Sequence, residues 1–350
     1  MDELAEQLGV DPLELRIRNH TEIDQTSGRP WSDKHLLDCY RSAADRFGWA
    51  DRPPGVRGLR RNHVQVGWGM ATAMFPARRM AAGCQVSTGA DGCVRFASAT
   101  HEIGTGVRTV MTQLAADITG LPLSAVAFDS GDSSFPETPR SGASQTTATV
   151  GAAVAEAATQ WRRRLTEVAG AAATAQSLTA LSPEQRAALS FSVTTSPPID
   201  EGVSIRSFGA HFCEVEVDEY LGRARVTRWT AAFACGPVLN PKLARSQLMG
   251  GITFGIGMAL LEQLPEDRTS LRRGGEYYLP THTDRPDLDI ELIDKTVADI
   301  PGPTLRGIGE IGIAGAPAAI ANAIHHATGR RLRNLPITVE DLMMPAGPRR

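Results

Sequence analysis

The chain has 350 residues, 42% hydrophobic and 21% charged, with a formal net charge of −3 at pH 7. That length carries two domains or lobes with substantial cores, while the small negative charge gives no field for nucleic acid and 5% aromatic residues supply no stacking platform. No apolar run approaches the roughly 18 residues of a membrane span, and the acidic start Met1-Asp-Glu-Leu-Ala-Glu is unlike a signal peptide, so a soluble chain without nucleic acid or membrane partners is expected. Five cysteines (Cys39, Cys84, Cys93, Cys213, Cys235) are spaced irregularly with no C-x-x-C. They fit neither a zinc site nor an iron–sulfur cluster and read as buried or half-buried thiols.

Residues 1–18 read as two short helices broken at Gly9, the second opened by Asp11-Pro12 as cap and first-turn proline. Leu4, Leu8, Leu13, Leu15 and Ile17 need a surface to pack on, a first sign that the chain is a piece of something larger. Ser32 to Phe47 carries Leu36, Leu37, Tyr40, Ala43, Ala44 and Phe47 at helical spacing, and residues 51–62, rich in Arg, Pro and Gly, read as a linker. From Val64 to Phe75 the pattern is that of a strand, and 84–88 with 94–98 around Ala90-Asp91-Gly92 reads as a hairpin. His101-Glu-Ile-Gly-Thr-Gly106 sets glycines ahead of a helix over 107–118, whose first turn offers unpaired N–H groups to an anion. A strand at 126–128 and a polar loop over 130–144 lead to an alanine-rich helix ending near Ala172. The start of that helix has two readings: plain capping by Ser141 or Ser144, or hydroxyls and amides that hold phosphate or another polar ligand.

Residues 173–205 read as a variable, partly mobile surface segment with one short helix from Pro183 to Leu189 capped by Ser182. Over 208–234 a second hairpin alternates Cys213, Val215 and Val217 with Glu214 and Glu216, giving one buried and one charged face. Asn240-Pro241 opens a helix to about Glu262 containing Gly250, Gly251, Gly255 and Gly257. Each interior glycine costs about 1 kcal/mol against alanine, so another element or a ligand comes close to that backbone. Residues 277–280 and 288–294 read as strands, and His325 and His326, adjacent on a last helix over 318–327, read as surface residues unable to share a metal.

The most purposeful stretch is Arg306-Gly-Ile-Gly-Glu-Ile-Gly-Ile-Ala-Gly315, a lone carboxylate among glycines and branched apolar residues. Gly307-x-Gly309-x-x-Gly312 has the letters of a dinucleotide fingerprint, but no strand precedes it and no acidic residue follows at the required distance. Two readings remain: a tight loop with a partly solvated Glu310, or a general base whose affinity for protons desolvation raises.

Together these segments resemble the C-terminal molybdenum-cofactor-binding domain of the xanthine dehydrogenase and aldehyde oxidoreductase family, the molybdenum hydroxylases, over nearly the whole chain. The markers in order are Met1-Asp-Glu-Leu-Ala with Asp11-Pro-Leu-Glu-Leu-Arg16, Glu102-Ile-Gly-Thr-Gly106, Gly131-Asp132, and Ser141-Gly-Ala-Ser-Gln-Thr-Thr147. Leu239-Asn-Pro-Lys242, Gln247-Leu-Met-Gly-Gly251, Gly307-Ile-Gly-Glu310 and Leu335-Pro-Ile-Thr-Val-Glu340 complete them. The tail Ala318-Ala-Ile-Ala-Asn-Ala-Ile is typical of the bacterial type, which has separate iron–sulfur and flavin subunits.

The resemblance implies an α+β fold of two lobes, mixed sheets flanked by helices: a helical lead-in at 1–50, a first lobe with cofactor-facing loops at 63–172, the surface segment at 173–205 and a second lobe carrying the Glu310 loop at 206–350. It implies oxidation of an aldehyde or N-heterocycle with oxygen from water, Glu310 taking the proton. By the same likeness Gly104, Thr105 and Gly106 lie against molybdopterin, in its cytosine dinucleotide form. Ser141, Gly142, Ala143, Ser144, Gln145, Thr146 and Thr147 approach the pterin and phosphates, and Gly307 and Gly309 complete the cofactor contacts. Molybdenum is held through the pterin, with no protein ligand, and electrons pass to 2Fe-2S and FAD on partner subunits. Thr105 stands where many relatives have Gln, so one side-chain hydrogen bond to the cofactor is absent or replaced. The family's first molybdenum-binding domain, which largely selects substrate, has no counterpart here, so the chain is expected to act only with that domain as partner. A cytoplasmic location is expected, or a periplasmic one if a signal-bearing partner exports the assembly. The alternative is a truncated remnant or docking scaffold that cannot hold cofactor alone.

Overall fold

The computed structural model describes residues 1–170, 175–197, 202–263, 277–293 and 305–343. Helices α1 (Asp2–Leu8) and α2 (Pro12–Arg18) break at Gly9, and Asp11 caps α2 by accepting the Leu13 and Glu14 amides. A ribbon of β1 (Ile23–Asp24) and β2 (Arg29–Pro30) leads into α3 (Leu36–Phe47), which starts later than Ser32 because His35, at φ 42°, breaks the helical run. Then come β3 (Leu59–Arg61), inside the expected linker, β4 (Val64–Pro76), the hairpin β5 (Ala82–Thr88) and β6 (Val94–Ser98), α4 (Val107–Thr119), β7 (Val126–Ser130) and α5 (Thr146–Ala169). Gly170, at φ 62°, ends α5. Beyond it lie α6 (Ala175–Thr179), α7 (Pro183–Ala188, with Ser182 in a capping box), β8 (Phe191–Thr195), the long hairpin β9 (Arg206–Asp218) and β10 (Ala224–Ala234), α8 (Pro241–Leu260), β11 (Asp287–Leu292), α9 (Ala316–Thr328) and α10 (Val339–Met343). Residues 277–280 form no strand and have no partner strand among the described residues. Residues 171–172, at the expected end of α5, and residue 294, at the expected end of β11, lie outside the described residues.

Two mixed sheets organise the chain. The larger has the order β11-β10-β9-β4-β3, antiparallel except for the β10–β11 pair, and the smaller has the order β7-β6-β5-β8, antiparallel except for β6–β7. Strand β4 therefore belongs with the hairpin that follows it by some 130 residues in the chain, not with the expected first lobe, and its pairing with β9 runs from Val64 opposite Asp218 to Pro76 opposite Arg206. The expected surface segment is likewise structural: β8 forms an edge of the smaller sheet, and Leu178, Leu181 and Leu189 are buried in that lobe's core.

The larger sheet is covered on both faces. Tyr40, Ala43 and Phe47 of α3 pack on Met70, Phe208, Ala210 and Phe212. On the other face Ile320, Ala323 and Ile324 of α9 and Leu248, Ile252 and Ile256 of α8 pack on Ala71, Val215, Trp229 and Phe233. Helix α9 lies directly on β4, where a Cβ at Gly67 or Gly69 would come within 1.9 or 2.2 Å of an α9 carbonyl oxygen. Double coverage explains two departures from expectation. Glu214, read as facing solvent, is 5% exposed and accepts from Trp68 Nε1 at 2.9 Å and Thr227 Oγ1 at 3.0 Å. His326, read as a surface residue, is 1% exposed; its Nδ1 accepts the Trp68 amide at 3.0 Å and its Nε2 donates to the Pro53 carbonyl at 3.0 Å. Burial, helped by the nearby Arg52 charge, pushes its pKa down to about 4. His325 is half-buried and meets Glu6 at 3.0 Å. No helix among the described residues is long and apolar enough to cross a membrane.

Candidate active site

A cleft of about 260 Å³ opens where the two lobes meet. One wall comes from the smaller lobe: Ile103, Thr105, Val107 and Val110 at the start of α4, and Ser141, Gly142, Ala143, Ser144, Thr146 and Thr147 leading into α5. The opposite wall is the turn from β10 into α8, from Cys235 through Asn240 to Leu243, Ala244 and Gln247, and the floor is Arg306, Gly307, Ile308, Gly309 and Glu310. Of the residues expected there, Gly104, Gly106 and Gln145 do not line it. Gln145 is 4% exposed and turns its amide to the Arg140 carbonyl at 3.2 Å.

Ser144 and Glu310 are the centre of this arrangement. The Ser144 hydroxyl donates to Glu310 Oε2 at 2.6 Å and accepts the Glu310 backbone N–H at 2.9 Å. Ser144 is thus not the cap of α5, whose N-cap, Gln145, makes no side-chain cap bond. The loop bends sharply for this contact, with Ala143 at φ 54° and Ser144 at φ 52°, in the left-handed region that costs an L-residue roughly 1–2 kcal/mol. Gly307 makes it possible, because a Cβ there would lie 1.3 Å from the Ser144 carbonyl oxygen. Glu310 is half-buried, not sealed in an apolar pocket as the flanking isoleucines suggested. Its Oε1 has no hydrogen-bond partner among the described residues.

Three other contacts shape the cleft. The Glu102 carboxylate accepts the amides of Gly104 at 2.9 Å, Gly106 at 3.0 Å and Arg108 at 3.3 Å, so the first turn of α4, expected to receive an external anion, already holds an internal one. Burial alone would raise the Glu102 carboxyl, but these amide bonds outweigh it and hold it below the usual carboxylate range. The Arg306 guanidinium is buried and paired with Asp33, donates to the Arg206 carbonyl at 2.9 Å, and is pushed down to about 10 by burial. Its Nε has no partner among the described residues. Burial pushes the Cys235 thiol up to about 12, so it stands in the cleft wall as a neutral thiol.

Helix α8 is held close to the Glu310 loop. A Cβ at Gly251 would lie 2.9 Å from the Gly312 backbone and one at Gly255 2.4 Å from the Ala316 side chain, so its glycines serve contact with another element; Gly250 faces open space. The wall from Cys235 to Gln247 was missing from the residues expected at the site, although Leu239-Asn-Pro-Lys242 and Gln247 were among the resemblance markers. The available signal was the Asn240-Pro241 helix start, where the Asn240 side chain accepts the Leu243 amide at 2.9 Å and donates to Gln113 at 2.9 Å, tying α8 to α4.

The model of the molybdopterin cofactor-binding domain family matches residues 42–286, and the chain belongs to that family. Within it, the chain is 34% identical to the aldehyde oxidoreductase molybdenum-binding subunit PaoC of Escherichia coli (strain K12), over 98% of this chain and 49% of that protein. It is 27% identical to the xanthine dehydrogenase molybdenum-binding subunit of Escherichia coli O157:H7, over 98% and 50%. The chain spans about half the length of these curated relatives. Among solved structures, the aldehyde oxidoreductase from Desulfovibrio desulfuricans ATCC 27774 superposes with a TM-score of 0.85 at 25% identity, covering 98% of this chain and 39% of that one. The fold is that of the molybdenum-binding domains of molybdenum hydroxylases.

The cleft suits a pterin cofactor in kind. Thr105, Ser141, Thr146 and Thr147 are among its lining residues, and the first turn of α5 lacks a side-chain cap, which leaves amides for phosphate or ring oxygens.

Proposed function

We propose that this chain is the second cofactor-binding half of the catalytic subunit of a molybdenum hydroxylase that oxidises an aldehyde or N-heterocycle with oxygen from water. The observation that carries this reading is the Ser144–Glu310 clasp in the cleft between the lobes. When bound, the molybdenum cofactor supplies the two-electron oxidation. Thr105 and the Ser141–Thr147 loop hold the pterin and phosphates of molybdopterin cytosine dinucleotide, with Gly307 and Gly309 letting it approach the floor.

Glu310 acts as general base. Ser144 holds Oε2, and Oε1 is left to take a proton from the attacking oxygen as the new C–O bond forms. Because the carboxylate is only half-buried in this chain, exclusion of water falls to the complementary domain. Gln247, Gly250, Phe254 and Met258 form one stripe along α8 from the cleft outward, with Phe254 60% exposed, a surface suited to that contact. Electrons then pass to 2Fe-2S and FAD partner subunits.

Metal analysis of the purified chain, alone and after co-expression with a complementary first cofactor-binding domain and the two redox subunits, tests the reading. Stoichiometric molybdenum in the assembly is expected. A folded, assembled chain that carries none would leave only the scaffold reading.

A further inference from the structure

The Glu310 loop has a second anchor that the proposed reaction does not use. His211, in the middle of β9, is completely buried, with the rings of Trp229 and Phe233 edge-on at 5.5 and 5.2 Å. The Trp229 indole N–H, which can only donate, lies 3.2 Å from His211 Nδ1. Nδ1 must therefore accept, and the ring proton sits on Nε2, 3.0 Å from the Ala314 carbonyl oxygen. The neighbour fixes the tautomer.

Ala314 closes the run of turns that carries Glu310. The Glu310 carbonyl accepts the Ile313 amide at 3.3 Å, and the Ile313 carbonyl accepts the Ala316 amide at 3.1 Å as α9 begins. Around His211 the sheet face is apolar: Cys213, Val215, Trp229 and Phe233 all belong to the same core. Packing alone would be served by phenylalanine. The one hydrogen bond His211 donates goes to the loop bearing the carboxylate.

We propose that His211 is a positioning residue for Glu310: with its tautomer set by Trp229, it ties the Ala314 carbonyl to β9 and fixes the depth at which the carboxylate stands in the cleft. Glu310 is then held from two sides, by Ser144 at the carboxylate and by the Trp229–His211 line at the end of its loop. The hold on the loop stands by itself; its consequence for turnover rests on the reading of Glu310 as the base.

The test compares His211→Phe, which keeps a ring but no donor, with His211→Gln, whose amide N–H reaches about as far as Nε2. Amide hydrogen exchange is read in the full chain, and kcat and KM in the assembled enzyme at matched molybdenum content. In His211→Phe, exchange over residues 310–316 is expected to accelerate about tenfold while the β9–β10 amides are unchanged, and kcat to fall about tenfold at unchanged KM. His211→Gln restores both. Unchanged exchange over 310–316 in His211→Phe, or a Gln variant no better than Phe, overturns the proposal. Should His211→Phe fail to fold, Trp229→Phe replaces it, because it frees the tautomer while His211 remains; faster exchange in the same loop upholds the proposal and wild-type exchange overturns it. Faster exchange combined with a fully active Glu310→Gln enzyme upholds the hold on the loop and rejects the base reading instead.

Discussion

Replacing Ser144 with alanine removes both bonds that join the two lobes at the carboxylate. The hydroxyl bond to Glu310 Oε2, 2.6 Å long, has an ionised acceptor, and such bonds contribute about 1.5–3 kcal/mol, with about 1 kcal/mol for the neutral amide bond. Because Glu310 is half-buried, solvent screening favours the lower end, so the expected loss is about 2.5 kcal/mol. Ser144→Gly loses the same two bonds but relieves a left-handed backbone at φ 52°, and should therefore be about 1 kcal/mol less destabilised than the alanine variant. Urea unfolding of the chain reads both values from the midpoints at unchanged slope. Ser144→Ala within about 0.5 kcal/mol of wild type, or Ser144→Gly less stable than Ser144→Ala, would refute the clasp as an energetic link.

Two further predictions concern pH. The folded-state pKa of Glu102 lies below its ordinary 4.5, so its stabilising contribution is complete above that value and is lost as pH falls through the folded value. Glu102→Gln is expected to flatten the acid limb of stability below about pH 4.5 and to cost about 1 kcal/mol at neutral pH; an acid limb as steep as wild type in urea midpoints would show that the amide bonds do not bind the charged form. His211 and His326 are depressed from 6.5 to about 4, chiefly by burial. Both are neutral in the folded chain at a pH where the unfolded chain is protonated, so stability falls as pH drops from about 6.5 toward 4, with about two protons taken up on unfolding near pH 5, one for each histidine. His326→Asn should remove one of the two in the slope of stability against pH, and an unaltered slope would mean that His326 is not held neutral.

Local features were the legible ones. Asp11-Pro12 opened a helix and Ala90-Asp91-Gly92 lies between paired strands because caps and turns depend on neighbouring residues. The glycines around Glu310 marked a tight loop, and the structure shows why one is needed: the Ser144 carbonyl oxygen leaves no room for a Cβ at Gly307. What approached whom was not legible. The pairing of β4 with β9 joins segments far apart in the chain, and strand period says nothing about which strand is the partner. Glu214 misled for the same reason: its alternation with Cys213 and Val215 describes a one-sided sheet, but β9 is central and covered on both faces. His326 could have been read correctly, since it falls seven residues after Ala319 and three after Ala323, on the buried side of α9. The identity of histidine outweighed its position.

The most direct test of the account is the turnover of Glu310→Gln in the assembled enzyme, measured beside its molybdenum content and its unfolding midpoint. Glutamine keeps the volume and can still accept the Ser144 hydroxyl bond but cannot take a proton, so turnover should fall by about 10²- to 10⁴-fold while molybdenum content stays at the wild-type level. Turnover equal to wild type at equal molybdenum would contradict the assignment of Glu310 as the base.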